Sequence, residues 1–89
     1  MKSTVVLNAG FGNSVMIDKI VAIINPDSSA GRRLRDEAKT GGLLVDATQG
    51  RRCRAMIIAE TRHVILSSLS TDSLSARINH GDEEKKHAE

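Results

Sequence analysis

At 89 residues the chain has room for one small domain, and with one Phe and neither Trp nor Tyr its core must be built from Val, Ile, Leu, Met and Ala. The formal net charge is +2, but residues 1–80 hold eleven Lys and Arg against seven Asp and Glu, a moderately basic body with a mildly acidic tail. A single cysteine excludes an intrachain disulfide and favours a reducing, cytoplasmic setting, while no apolar run reaches membrane-span length or follows Met1 as a signal-type segment.

Residues 4–8 read as a first strand. Gly10, Phe11, Gly12 and Asn13 follow, and two glycines with an Asn tolerate positive φ, so a turn or bulge is expected. Residues 14–18 form a second extended run. Residues 19–25 are β-branched and apolar on both faces, which predicts a buried strand ended by Pro26. Asp27 or Ser28 can cap a helix over residues 29–40, closed by Gly41 and Gly42. Its apolar stripe is thin: Ala30, Leu34 and Ala38 at i, i+4 and i+8. Arg32, Arg35 and Lys39 share another face, with Arg33 beside it. That face is either a basic binding surface or the solvated side of an amphipathic helix.

Residues 43–47, 54–60 and 63–68 read as three more strands, the last two joined through Thr61 and Arg62 as a tight antiparallel hairpin. A turn containing Gly50 predicts a further hairpin between 43–47 and 55–59, with Arg51, Arg52 and Arg54 at or beside its tip. Guanidinium groups are costly to bury and recognise phosphate through planar, forked donors. Thr48, Gln49 and the turn amides add neutral donors, but no aromatic neighbour is expected at the tip. The segment is either a cationic finger aimed at a polyanion or a solvated turn whose arginines pair with carboxylates of the same subunit. Thr71 or Ser70 can cap a short closing helix, with Leu74 and Ile78 one turn apart and Gly81 at its end. The domain is expected to span residues 1–80, and the polar tail 81–89 to be disordered.

Chemistry that needs a cofactor finds little support. His63, His80 and His87 are far apart and no metal-ligand spacing occurs, and Gly10 to Ser14 lacks the third glycine and the Lys of a nucleotide-binding loop. Asp18, Asp46, Glu60 and His63 read as strand-end and turn residues rather than as acid–base groups. Cys53, between arginines, is either a thiol of lowered pKa or an inert small side chain. No catalytic residue, metal or cofactor is expected.

Gly10-Phe11-Gly12-Asn13, Lys19-Ile-Val-Ala-Ile, Leu44-Val-Asp-Ala-Thr48, Gly50-Arg51-Arg52-Cys53-Arg54-Ala55 and His63-Val-Ile-Leu-Ser67, in that order, resemble the RemA family of small bacterial DNA-binding regulators, first associated with biofilm matrix genes. The resemblance covers residues 4–80. It implies a LytTR-like fold, assembly into rings that bind or wrap double-stranded DNA on a basic rim, DNA contacts from Arg51 and Arg52, and a subunit contact at Lys19, where the family has Arg. Gln49 replaces a common aromatic, Cys53 a Thr-like residue, and Ala30-Gly31 an Ala-Pro pair.

Together these readings predict an α+β domain: a small antiparallel sheet, one central helix and a short C-terminal helix, in a ring-forming homo-oligomer. Arg54, Arg32 and Arg33 join Arg51 and Arg52 as candidate DNA contacts. The expected function is a non-enzymatic, sequence-tolerant DNA-binding regulator with no membrane or small-molecule partner. An RNA-binding module and an assembly protein whose arginines bridge subunits are the rivals; the lack of Tyr and Trp weighs against the first.

Overall fold

The computed structural model describes residues 6–88. Strands β1 (Val6–Gly10) and β2 (Asn13–Met16) pair antiparallel as a hairpin of their own. Of the expected first strand over 4–8, residues 4 and 5 lie outside the described residues. The strand covers 6–8 and runs on to Gly10, with Leu7 and Ala9 buried and Val6 and Asn8 exposed, as the two-residue period of a strand requires. The second is shorter than predicted. After Met16 the chain turns through a 3-10 segment, Ile17–Lys19, closed by the Ile20 N–H on the Ile17 carbonyl oxygen, which tucks Ile17 against the core.

The four-stranded sheet has the order β3 (Ile20–Ile24), β5 (Ala55–Ala59), β6 (Val64–Ser67), β4 (Leu44–Asp46). β3–β5 and β5–β6 are antiparallel, whereas β4 runs parallel to β6, so the sheet is mixed and not purely antiparallel. The cause is helix α1 (Ser29–Thr40), which carries the chain from one sheet edge to the other in the same direction. The β5–β6 hairpin then fills the gap between the edges. The predicted pairing of 43–47 with 55–59 is therefore absent: β6 lies between them.

Burial follows strand order. β5 and β6 are central and covered on both faces, so they carry the continuous apolar runs. The apolar pattern of 19–25 predicts a buried strand, but β3 lies at the sheet edge, and Val21 is 66 % exposed. On one face Ala55, Ile57, Ala59 and Ile65 pack with Leu7, Ala9 and Leu74, beneath the β1–β2 hairpin and α2 (Thr71–Ala88). On the other, Met56, Val64 and Leu66 pack with Ala38 and Leu34 of α1.

Helix α1 matches its predicted bounds because its stop signals are local. Ser28 is the cap, its hydroxyl oxygen accepting from the Gly31 N–H at 3.0 Å. At the other end Leu43 N–H reaches the Ala38 carbonyl oxygen at 2.8 Å around Gly42, whose φ of +74° suits glycine. The stripe facing the sheet is buried Gly31 and Ala38 with half-buried Leu34 between them; Ala30 is exposed, contrary to expectation. Gly31 fits there because the helix start lies hard against Asn25 and Pro26, where a Cβ would strike the Asn25 carbonyl oxygen. Its N–H also closes the cap, a bond that the Pro of the family pattern has no hydrogen to donate. Ser70 caps α2 by accepting from the Ser73 N–H at 3.1 Å. The helix passes Gly81 and continues to Ala88, longer than predicted, since one glycine weakens a helix by only about 1 kcal/mol and the residues after it are good helix formers.

Candidate functional site

The arginine segment is a strap, not a hairpin tip. Residues 47–54 leave edge strand β4, cross the C-terminal end of β6 and enter β5. Both strap ends are tied to β6: Ala47 N–H donates to Leu66 O at 3.0 Å and Arg54 N–H to Ser67 O at 2.8 Å. Between these ends Gln49 (φ +55°) and Gly50 (φ +78°) form a tight turn closed by Arg51 N–H on Thr48 O at 3.0 Å. Thr48 is buried and donates both its N–H and its hydroxyl to Asp46 Oδ1. The charged side chains of Arg51, Arg52 and Arg54 stay exposed while their backbone is fixed.

Phe11 reaches the same place from the opposite end of the sequence. The Ser67 hydroxyl donates to Ala9 O at 2.9 Å, attaching the β1–β2 hairpin to the end of β6 that the strap crosses. The Phe11 ring then lies under Arg51, with the guanidinium carbon 5.5 Å from the ring centroid. Phe11, Arg51, Arg52, Arg54 and Ser68 line one shallow concavity, and Asn25, Asp27, Arg52, Cys53 and Arg54 line a second. Arg52 and Arg54 form the ridge between them. The expectation of a tip without an aromatic is corrected: the turn itself has none, but tertiary packing delivers one. A lone aromatic between two turn glycines is the signal the sequence offers for it.

One carboxylate intrudes. Arg52 faces Asp27 at 3.7 Å, with both side chains well exposed, so the pair is loose and screened. Arg32 and Arg33 are exposed on the first turns of α1 and line neither concavity. Lys19 pairs within its own chain, Nζ 3.2 Å from Glu60 Oε1, and its carbonyl accepts the Glu60 N–H at 2.9 Å.

The other sequence candidates have local partners. His63 Nδ1 lies 2.7 Å from the Thr61 hydroxyl. Hydrogen bonds from the Thr48 hydroxyl, then from its N–H, hold the Asp46 carboxyl below the usual carboxylate range. Burial pushes the Cys53 thiol up, outweighing the Ser67 and Ala55 backbone bonds and Arg35, and its Sγ donates to Ala55 O at 3.4 Å. A thiol held protonated is a poor nucleophile, so the low-pKa alternative for Cys53 does not hold. Among the described residues no three His, Cys, Asp or Glu side chains gather to hold a metal, and no helix is long and apolar enough to cross a membrane.

The RemA-like family, described as extracellular matrix regulatory protein A-like, matches residues 6–78. That span takes in the Phe11 turn, the strap and the Ser70 cap. The chain belongs to the RemA-like family. Relatives that carry the name "Putative regulatory protein" include one from Nitratidesulfovibrio vulgaris strain DP4, 44 % identical over 84 residues that cover 94 % of this chain and 98 % of the relative. Another, from strain Miyazaki F, is 49 % identical over 76 residues, 85 % of this chain and 86 % of its own. A third, from Dictyoglomus turgidum, is 45 % identical over 80 residues, covering 90 % and 94 %. The RemA-like family and these relatives are named for regulation and not for catalysis.

Proposed function

We propose that this RemA-like protein is a non-enzymatic regulator that binds double-stranded DNA as a homo-oligomer, through phosphate contacts made by Arg51, Arg52 and Arg54. The observation that carries the reading is the convergence of three exposed guanidiniums on one strap, with Asp27 the carboxylate that lines the second of their concavities and Asp46 engaged by Thr48. Such a surface suits phosphate oxygens, which accept forked donors without regard to sequence. Arg32 and Arg33 extend the positive field from α1.

A body of modest net charge holds DNA weakly with three arginines. In an oligomer each subunit presents the same strap and the phosphate contacts sum within one complex. Open edges at β3 and β4, with Val21 and Val45 exposed, favour assembly. Closure into a ring with DNA on its rim, a subunit contact at Lys19 and control of biofilm matrix genes complete the proposal, on the strength of the family resemblance.

The test is a salt titration of wild type and Arg51→Ala on two unrelated duplexes, with mass followed by light scattering. Arg51→Ala is expected to weaken both complexes alike and to flatten the slope of log affinity on log salt by about 0.9 for each phosphate no longer neutralised. An unchanged slope with a fallen mass would show that the arginines bridge subunits. Displacement of duplex by RNA at equal concentration would favour the RNA reading.

A further inference from the structure

Phe11 is the one aromatic residue of the chain, and it is left 49 % exposed. Its φ is +53°, in the left-handed region, which a bulky side chain occupies only under strain. The tip that imposes this conformation is braced: Gly10 N–H donates to Asn8 Oδ1 at 2.8 Å, and the Asn13 amide donates to Gly10 O at 2.9 Å. A Gly or Asn at position 11 would fit the same turn without strain. The ring is nevertheless there, set against Arg51 in the concavity that Arg52 and Arg54 share.

We infer that Phe11 is an apolar wedge of the arginine surface, pressing into the base stack of double-stranded DNA at a deformable step while Arg51, seated on its face, takes the adjoining phosphate. This wedge rests on the DNA-binding reading and adds to it the element that discriminates among sequences. Arginine–phosphate contacts alone are blind to sequence. An apolar ring gains nothing from phosphate, but it gains stacking and desolvation where a base step opens, and pyrimidine–purine steps open at least cost. The cation–π contact couples the two roles, since the ring that enters the stack also orients the neighbouring guanidinium.

Binding by wild type, Phe11→Ala and Phe11→Leu is compared on two duplexes of equal length, one with central TA steps and one a stiff A-tract. Bending is read by end-to-end energy transfer, mass by light scattering, and the salt slope is taken for each variant. Wild type is expected to prefer and bend the TA duplex. Phe11→Ala binds it roughly tenfold more weakly, the worth of about one aromatic stacking interaction, with little change on the A-tract. Phe11→Leu keeps part of the preference, because leucine also serves as a wedge. Salt slope and mass stay at the wild-type values in both variants. Equal weakening on the two duplexes, no bending by wild type, a fallen mass in Phe11→Leu, or tighter binding of a single strand than of duplex each overturns the wedge. If wild type binds duplexes with an Arg51-dependent salt slope while Phe11→Ala matches it throughout, the wedge alone falls. If wild type binds no duplex, the DNA reading falls and takes the wedge with it.

Discussion

Asp46 accepts two hydrogen bonds from Thr48, from the backbone N–H at 2.9 Å and from the hydroxyl at 2.6 Å. This pair is the hinge post of the strap, because Thr48 is 3 % exposed and the next residue enters the tight turn. Both bonds favour the ionised carboxylate and hold its pKa below the ordinary Asp value. A depressed folded pKa contributes stability that is present above the unfolded pKa and lost as pH falls through the folded one. Thr48→Val is therefore expected to lower stability by about 1 kcal/mol at neutral pH, measured by urea unfolding. The gap from wild type is expected to narrow below about pH 4. A gap that does not change with acid would mean that the bonds to Asp46 are not what Thr48 contributes.

Asp27→Asn is expected to tighten DNA binding. The exposed ion pair with Arg52 contributes less than about 1 kcal/mol to the fold, so its removal leaves the melting temperature nearly unchanged. Arg52 is then free for phosphate and one repulsive charge is gone, so affinity rises and the salt slope steepens. Weaker binding by Asp27→Asn would show that the pair holds Arg52 in its working position.

Gly31→Ala tests the start of α1. The added Cβ meets the Asn25 carbonyl oxygen, a backbone atom that cannot swing aside, and the helix must shift. A destabilisation of about 2 kcal/mol is expected from this overpacking, whereas alanine raises stability at an ordinary exposed helix glycine. Thermal melting of the two proteins decides between these outcomes.

Truncation after Gly81 is expected to leave the melting temperature in place. The anchors of α2 on the body are the Ser70 cap, Leu74 and Ile78, all of which precede the cut, and the segment beyond has no apolar residue larger than Ala88. Removing four acidic residues against two lysines also raises the net charge of the chain, so DNA affinity should rise. A fall of several degrees in melting temperature would show that the tail docks.

Local signals carry most of what is legible in the sequence. Pro26, Ser28 and the Gly41-Gly42 pair bound α1 to the residue, and Thr61-Arg62 announces the β5–β6 hairpin. Non-local choices are hidden. Nothing near residues 43–47 says that this strand will pair in parallel with one that begins twenty residues later, past the strand expected to be its partner. The Phe11–Arg51 contact spans forty residues and depends on Ser67 holding Ala9. A four-residue apolar spacing points to Ala30 for the stripe of α1, while the close approach at Asn25 selects Gly31 instead.

The strap has a consequence in time. Its shape depends on bonds to β6, on an exit into β5, on an entry from β4 and on a hairpin delivered from the N-terminal end. The bonds to β6 and the attachment of the hairpin join residues separated in the chain, and contacts of that kind form late because loop closure must precede them. The guanidiniums and the ring thus take up their arrangement only after three strands have found their register. A nascent or half-folded chain has the same arginines but not the surface, so competence for the ligand arrives with the finished fold.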